Sequence, residues 1–234
     1  MRVLVLRPQP AAIRTAERLA ALGHEAVLLP LTRAVHDRAA LAAVLAEGHC
    51  ALAVTSAEAA GMLREAAAAH GGTTLFAVGH ASARAAREAG FSTVFTPGGD
   101  GRDLADFIAG RRAALDFSRG PLLYLAGHPR APAFESRLME AGLPVRTVEC
   151  YRMEALAPSA AEIDAALTAD AVLFHSPEAV RRFFTLRPAV PAGLRLLCMS
   201  ANVAAAVPAP FAGAARVAAA PDEESLLALL GAPE

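Results

Sequence analysis

The segment Ala171-Val-Leu-Phe-His-Ser-Pro-Glu-Ala-Val180 decides the fold of this chain. Its apolar first half predicts a buried strand. Ser176 in the N-cap position, Pro177 at the first helical position and Glu178 in the first turn predict a helix that begins directly after that strand. A helix start carries unpaired backbone N–H groups and a partial positive charge, so the segment indicates either ordinary capping or a place for an anion.

A second segment, Ala51-Leu-Ala-Val-Thr-Ser-Ala-Glu-Ala-Ala60, repeats this pattern with Ser56 and Glu58 in the corresponding positions. The repetition extends along the chain. A shift of 119 places Leu122-Leu-Tyr-Leu125 on Val3-Leu-Val-Leu6, Pro129 on Pro10, Arg137 on Arg18 and Gly142 on Gly23. We infer an internal duplication of a unit of roughly 120 residues. Two such helix starts, one from each copy, could together hold a polycarboxylate.

Strands alternate with helices along both copies. We expect strands at 2–6, 25–29, 50–54, 74–78, 92–95, 122–125, 145–150, 171–174, 194–198 and 215–219. The segments 30–36 and 151–155 are predicted to be extended connections, and helices are expected between the strands. In the first helix, Ile13, Ala16 and Ala20 are expected to face the core. The alternation predicts an α/β fold in which a parallel sheet is covered by helices on both faces.

The composition excludes several classes of function. All 22 basic residues are arginine, so no lysine is present to form a Schiff base, anchor pyridoxal phosphate or serve in a P-loop. A net charge of −1 gives no bulk attraction to nucleic acid or membranes, and no apolar run reaches the roughly 20 residues that span a bilayer. The amino terminus lacks the features of a signal peptide, so a cytoplasmic location is expected.

Neither cysteines nor glycines form a recognisable binding motif. Cys50, Cys150 and Cys198 have no paired metal-ligand spacing, and we expect them to be small buried hydrophobic residues. The loop Pro97-Gly-Gly-Asp-Gly101 lacks the spacing and the Lys-Ser/Thr of a phosphate cradle, which favours a plain loop.

Small and polar residues follow the predicted strands. Ligands of doubly wound sheets bind at the carboxyl ends of the strands. Those ends carry Arg7, Thr55, Ser56, Gly79, Gly127, His128, His175, Ser176 and Ser200.

Six segments carry a family resemblance. They are Val5-Leu-Arg-Pro8, Thr55-Ser-Ala-Glu-Ala59, Ala77-Val-Gly-His-Ala-Ser82, Leu123-Tyr-Leu-Ala-Gly127, Val148-Glu-Cys-Tyr-Arg152 and Phe174-His-Ser-Pro-Glu-Ala179. In their order and spacing, over essentially the whole chain, they resemble the uroporphyrinogen-III synthase family, whose enzymes close the tetrapyrrole ring.

The resemblance implies two doubly wound, flavodoxin-like parallel-sheet lobes, joined by a two-stranded connection and separated by a cleft. The first lobe is expected to be discontinuous, with residues 1–33 and 152–234, and the second to comprise residues 34–151. The crossings would lie near 30–36 and 149–155. A cut at Phe117-Ser-Arg-Gly120 would instead keep each repeat intact, and the residues alone do not choose between the two divisions.

The resemblance also implies an activity. Such enzymes take hydroxymethylbilane, a linear tetrapyrrole with eight carboxylates, and remove its terminal hydroxyl as water. They close the macrocycle with inversion of the last pyrrole ring and need no cofactor. Tyr151 matches the family's tyrosine in the returning connection and is the candidate proton donor to the leaving hydroxyl; the alternative is a structural hydroxyl. Substrate binding is expected of Arg7, Thr55, Ser56, Gly79, Ser82, Gly127, His128, His175, Ser176 and Ser200.

Three positions depart from the family pattern. Ser200-Ala-Asn-Val203 stands where a Gly-x-x-Thr is usual, Ser82 replaces a threonine, and His175 replaces the hydroxyl residue before Ser176. An imidazole at that position is suited either to binding a carboxylate or to packing. The expected partners are the substrate, hydroxymethylbilane, and hydroxymethylbilane synthase, which would hand the substrate over in a transient contact. No nucleic acid or membrane partner is expected, and the expected state is a monomer.

Three other functions stay open at this point. A non-catalytic two-lobe binder of an anionic small molecule has the same architecture, although it would usually carry an export signal. A receiver-type signalling module would need an acidic cluster at the strand ends, where this chain has Arg, Thr, Ser, Gly and His. A degenerate synthase domain kept for regulation is distinguished only by an assay.

Overall fold

The computed structural model describes residues 1–187 and 190–231. The chain divides into two compact units: unit 1 comprises Met1–Arg33 and Glu154–Glu234, and unit 2 comprises Ala34–Met153. The division expected from the sequence differs by two residues at the second crossing. Its first lobe also includes 188–189 and 232–234, which lie outside the described residues.

Most of the strands are short. Within the described residues they are β1 (Arg2–Val5), β2 (Glu25–Leu28), β3 (Thr32–His36), β4 (Ala51–Val54), β5 (Leu75–Ala77), β6 (Val94–Phe95), β7 (Leu122–His128), β8 (Val145–Ala155), β9 (Ala171–Phe174), β10 (Arg195–Cys198) and β11 (Ala215–Val217).

Helices connect successive strands in both units. They are α1 (Ala11–Ala21), α2 (Arg38–Leu45), α3 (Ala57–Met62), α4 (Ala67–His70), α5 (His80–Glu88), α6 (Gly101–Ala109), α7 (Ala133–Glu140), α8 (Ala160–Ala166), α9 (Pro177–Leu186), α10 (Ala201–Ala204) and α11 (Glu223–Ala228), with short 3₁₀ turns between some of them. No helix in the described part of the chain is both long and apolar enough to cross a membrane.

Unit 1 contains a five-stranded sheet in the order β11-β10-β9-β1-β2, and all of its pairings are parallel. Alternate residues of β1 enter different cores: Leu4 packs in a cluster with Phe174 and Phe183, whereas Val3 and Val5 pack in a cluster on the other face. Since successive side chains of a strand point to opposite faces, both faces of the sheet are buried under helices.

Unit 2 contains a six-stranded sheet in the order β3-β8-β7-β4-β5-β6. The pairings from β8 to β6 are parallel. Its strands alternate in the same way, because Leu52 and Val54 of β4 enter one core while Ala51 and Ala53 enter the other. The expected mixed α/β fold with parallel sheets is confirmed.

Strands β3 and β8 contain the two crossings between the units. Asp37 N–H donates to Cys150 O at 2.7 Å, and Leu156 N–H donates to Leu31 O at 3.0 Å. The residue that follows β3 thus bonds to the middle of β8, and the residue just before β3 bonds to the residue that follows β8. The two strands therefore run antiparallel. The predicted strand 145–150 and connection 151–155 form the single strand β8.

The predicted buried face of α1 was wrong. Ala12, Thr15 and Leu19 are buried, whereas Ile13 is 49% exposed. The prediction placed Ile13, Ala16 and Ala20 on the core face, but each buried residue lies one position earlier in the helix, which corresponds to a rotation of roughly 100°. Thr15 points inward because its hydroxyl bonds to Glu223, a residue far away in the sequence.

Candidate active site

Hydroxyl groups gather around Ser56 at the carboxyl edge of the unit 2 sheet. Ser56 caps α3, since its Oγ accepts a hydrogen bond from Ala59 N–H at 3.1 Å. The same oxygen accepts a hydrogen bond from Tyr151 Oη at 2.8 Å. These two bonds use both lone pairs of the serine hydroxyl, which leaves its proton available for a further acceptor. The preceding Thr55 bonds through Oγ1 to Tyr124 Oη at 2.7 Å.

Tyr151 is a half-buried phenol on β8. Its partner in the β7–β8 register is Gly127, and a Cβ at Gly127 would overlap the tyrosine ring and hydroxyl. The glycine therefore provides the space that the phenol occupies. Burial raises the pKa of Tyr151 above its ordinary value of 10.0 and outweighs the hydrogen bond to Ser56, which lowers the pKa. The phenol is therefore protonated at neutral pH, as a proton donor must be.

A depression of about 460 Å³ lies beside Tyr151, within the usual range of small-molecule sites. All of its lining residues belong to unit 2. They are Val35, His36, Asp37, Arg38, Ala39, Glu149, Tyr151 and Arg152.

His36, which lines this depression, forms a pair with a glutamate. His36 Nε2 lies 2.6 Å from Glu58 Oε1, and both side chains are partly buried. An ionised carboxylate only accepts hydrogen bonds, so the imidazole donates from Nε2. The rings of His36 and Tyr151 have centroids 6.5 Å apart and meet edge to face.

The carboxyl edge of the unit 1 sheet carries a different cluster, centred on Glu223 at the start of α11. Arg7 Nη1 lies 3.0 Å from Glu223 Oε1, and Arg18 Nη1 lies 3.0 Å from Oε2. Thr15 Oγ1 also donates to this carboxylate. Burial alone would raise the pKa of Glu223, but the hydrogen bond from Thr15 and the charge of Arg7 outweigh it and hold the pKa well below its usual range. Arg7 is therefore engaged with an internal carboxylate.

The ring of His175 is largely buried beside this cluster. Its Nε2 lies 3.8 Å from Glu223 Oε1, too far for a hydrogen bond, and neither ring nitrogen has a hydrogen-bond partner among residues 1–187 and 190–231. Burial lowers the pKa of His175, so the imidazole is neutral near pH 7. A buried ring with unused polar atoms is a suitable position for a ligand or a water molecule.

The other predicted site residues occupy several kinds of position. Ser176 and Ser200 cap α9 and α10 by accepting hydrogen bonds from Ala179 N–H and Val203 N–H. Gly79 is the N-cap residue of α5, and Ser82 is buried within that helix.

His128 ends β7. It is exposed, with Nδ1 3.7 Å from Glu149 Oε1.

The cysteines occupy two environments. Cys150 and Cys198 are buried, and burial raises the pKa of each thiol to about 11, whereas Cys50 is only partly buried. Among the described residues, no group of three or more His, Cys, Asp or Glu side chains is placed to hold a metal ion.

A family model described as uroporphyrinogen-III synthase HemD matches residues 13–228. The chain belongs to the uroporphyrinogen-III synthase family. It is accordingly a lyase of haem biosynthesis, which closes hydroxymethylbilane to uroporphyrinogen III with loss of water. No curated protein sequence matches the chain significantly.

Solved structures of uroporphyrinogen-III synthases share the fold. The enzyme of Helicobacter pylori 26695 aligns with a TM-score of 0.64 at 15% identity, covering 98% of each chain. A mutant enzyme of the extremely thermophilic bacterium Thermus thermophilus aligns with a TM-score of 0.56 at 20% identity, covering 99% of this chain and 96% of the other.

Sequence reasoning missed three residues that the structure brings to the sheet edges of this synthase. Glu58 was noticed only as a first-turn acid, His36 only as the end of a connection, and Glu223 not at all. His36 and Glu58 were within reach of the sequence, because the first ends an extended segment and the second follows the cap Ser56. Glu223 had no local signal, since it contacts Arg7 across 216 positions.

Proposed function

We propose that the carboxyl edge of unit 2 performs the first proton transfer of the family reaction, with Tyr151 donating to the leaving hydroxyl of hydroxymethylbilane. The observation that carries the proposal is the hydrogen bond of 2.8 Å from Tyr151 Oη to Ser56 Oγ, beside the depression of about 460 Å³. A protonated, oriented phenol at a cavity meets the geometric requirement for general acid catalysis.

The chemistry asks little of the protein beyond that proton. Loss of hydroxide from a hydroxymethylpyrrole is assisted by the ring nitrogen, so a donor at the departing oxygen is sufficient to release water. The larger task is to hold a flexible tetrapyrrole so that the inverted ring closure is faster than the direct one. That task requires several fixed contacts to the substrate carboxylates, which lowers the entropic part of the barrier.

Substrate contacts are proposed at both sheet edges. In unit 2 they are Thr55, Ser56, Gly79, Ser82, Gly127 and His128, and in unit 1 they are Arg7, His175, Ser176 and Ser200. Two observations support the proposal most directly. The hydroxyl proton of Ser56 takes no part in the two hydrogen bonds that its oxygen accepts, and the ring nitrogens of His175 have no hydrogen-bond partner among the described residues. Arg7 would act through the part of its guanidinium that Glu223 and Thr15 do not occupy, because Nη1 makes both of its observed contacts.

We also propose that the two units are products of the internal duplication. If β7 and β8 correspond to β1 and β2, and β4, β5 and β6 correspond to β9, β10 and β11, both sheets have the flavodoxin-like order 2-1-3-4-5. The cleft between two lobes, the monomeric state, the cytoplasmic location and the hand-over from hydroxymethylbilane synthase belong to the same proposal.

The assay for the proposal measures the conversion of hydroxymethylbilane and separates the type I and type III isomers by chromatography. Uncatalysed closure gives the uninverted isomer, so the type III product reports the enzyme alone. Tyr151→Phe should lower turnover by about 10²-fold, the lower end of the range for positioned acids, because the substrate loses water readily. The type III isomer should still form, since ring inversion depends on how the substrate is held.

Two outcomes would contradict this assignment. Full turnover by folded Tyr151→Phe would remove the phenol from the chemistry. Absence of type III product from the unmodified protein would favour a regulatory domain or a binder of anionic small molecules.

A further inference from the structure

We infer that His36, oriented by Glu58, is the base that removes the proton from the newly closed ring. The inference rests on the proposed function, because it assumes that the depression beside Tyr151 receives the reacting end of the substrate. It assigns the second of two proton transfers, for which the sequence offered no residue.

The stoichiometry of the reaction requires such a base. The departing hydroxyl takes up one proton and leaves as water. To invert the last pyrrole ring, the methylene carbon that has lost its hydroxyl first bonds to the substituted α-carbon of that ring, and the bond from this α-carbon to the neighbouring methylene then breaks. In the final closure, the released methylene carbon bonds to the unsubstituted α-carbon of the inverted ring. That carbon must then lose its proton, and the electron pair of the broken C–H bond restores the aromatic ring. No electrons are gained or lost overall, and one proton is consumed for each proton released.

The hydrogen bond to Glu58 determines which nitrogen of His36 can act. Nε2 donates to Glu58 Oε1 at 2.6 Å, so the lone pair of the neutral imidazole lies on Nδ1. A carboxylate that fixes a histidine in this way also stabilises the imidazolium formed on proton uptake, as in the triads of hydrolases. His36 is therefore a base with a defined tautomer and a partner for its charged state.

The distance between His36 and Tyr151 suits two proton transfers at different atoms of one bound substrate. Its ring centroid lies 6.5 Å from that of Tyr151, and both residues line the same depression. The donor must reach an oxygen and the acceptor must reach a ring carbon, so the two groups need to contact different atoms of one bound substrate. Two groups at this spacing satisfy that requirement.

Three charged side chains near His36 already have hydrogen-bond or ion-pair partners, which makes His36 the candidate base. Asp37 caps α2 by accepting from Ala40 N–H at 2.8 Å. Arg38 is paired with Glu65, and Glu149 bonds to Arg130 at 2.5 Å. The groups that face His36 from neighbouring elements are Glu58 on α3, Asp37 and Arg38 at the start of α2, and Glu149, Tyr151 and Arg152 on β8.

The test compares His36→Gln, His36→Ala and Glu58→Gln with the unmodified enzyme. Glutamine keeps the polar character of the side chain but cannot take up a proton. His70→Gln is the matched control, because His70 lies ahead of β5 at the opposite sheet edge, where its ring lies beside that of His49. Thermal unfolding establishes that each variant is folded, and the kcat and KM for type III product are measured as functions of pH.

Three results are expected if His36 is the base. His36→Gln should lower kcat by about 10²-fold or more, with little change in KM. The dependence of kcat on pH should differ between His36→Gln and the unmodified enzyme. Added imidazole should restore part of the turnover of His36→Ala but none of that of Tyr151→Phe. Glu58→Gln should give a smaller loss together with an altered pH profile, as expected of a positioning residue.

The contrary results separate the two proposals. Normal kcat and an unchanged pH profile in folded His36→Gln, or an effect on KM alone, would overturn the role of His36 while leaving Tyr151 untouched. Loss of turnover without imidazole rescue would assign His36 a structural role. Failure of the unmodified protein to form type III product would overturn the proposed function and this inference with it.

Discussion

At the scale of single residues, the most consequential contact is the close approach of Gly127 to Tyr151. A Cβ at Gly127 would occupy the space of the tyrosine ring and hydroxyl. Gly127→Ala should therefore displace the phenol from Ser56 and lower turnover by an amount similar to Tyr151→Phe. The measurement is the rate of type III product formation by folded protein.

Gly61→Ala is the control for that change. Gly61 lies in α3 of the same unit, with nothing within 4 Å of an added Cβ. Alanine there should stabilise the helix by about 1 kcal/mol without changing turnover. Equal turnover in the two glycine variants would show that Tyr151 tolerates displacement.

Glu223 should make stability depend on pH. Its folded-state pKa is depressed relative to the ordinary 4.5, so its contribution is present above about pH 4.5 and is lost as the pH falls through the folded-state value. At neutral pH, Glu223→Gln should lower the free energy of unfolding by about 1–3 kcal/mol, because Arg7 and Arg18 lose their common counter-charge.

Denaturant unfolding at several pH values measures this effect. The difference between Glu223→Gln and the unmodified chain should be constant near neutral pH and should narrow below about pH 4.5. A difference that is the same at every pH would mean that the charge of Glu223 contributes nothing and that only its packing matters.

At the scale of elements, the two repeated helix starts provide a matched comparison. Ser56 and Ser176 cap α3 and α9 at nearly equal lengths, 3.1 Å and 3.2 Å. Each serine-to-alanine change should cost about 1 kcal/mol of stability. Only Ser56 also accepts the hydrogen bond from Tyr151, so Ser56→Ala should lower kcat more than Ser176→Ala. Equal effects on kcat would mean that the bond to Ser56 does not orient the phenol.

The α1 helix shows where sequence patterns stop being sufficient. Strand β9 lies where its apolar run predicts it, at 171–174, because a fully buried strand flanked by turn residues has few alternatives. For α1, alanine-rich periodicity left several faces nearly equivalent, and the choice was made by Leu19 packing in one core and Thr15 bonding to Glu223. A contact to a residue about 200 positions away leaves no trace in local spacing.

This correction also predicts stabilities. Leu19→Ala should lower the free energy of unfolding by about 2–5 kcal/mol, because Leu19 is fully buried. Ile13→Ala should cost much less, since half of that side chain is exposed. Urea unfolding of both variants checks the order, and a larger cost at Ile13 would restore the face expected from the sequence.

At the scale of the whole molecule, the boundary between the proposed repeats does not coincide with the boundaries of the compact units. The proposed repeats would meet near residue 120, whereas the chain passes between the two units at 33–34 and 153–154. The residue pattern that suggests the repeat could not distinguish these divisions, because both preserve the same alternation of strands and helices. The distinction depends on which strands pair: β7 lies beside β4, although the two fall in different proposed repeats.

Fragments of the chain test this division. Both hydrophobic clusters of unit 2 consist of residues between 41 and 151, so no member comes from unit 1. A fragment of residues 34–153 should therefore fold by itself and unfold cooperatively, and should retain the hydrogen bond of Tyr151 to Ser56. A fragment of residues 1–120 has a similar length but lacks β7 and β8, which leaves one edge of β4 unpaired and removes Tyr124 and Phe134 from their core. It should remain largely unfolded. Heat-capacity scans and amide spectra of both fragments decide the matter, and cooperative unfolding of 1–120 but not of 34–153 would favour the division at the repeat boundary.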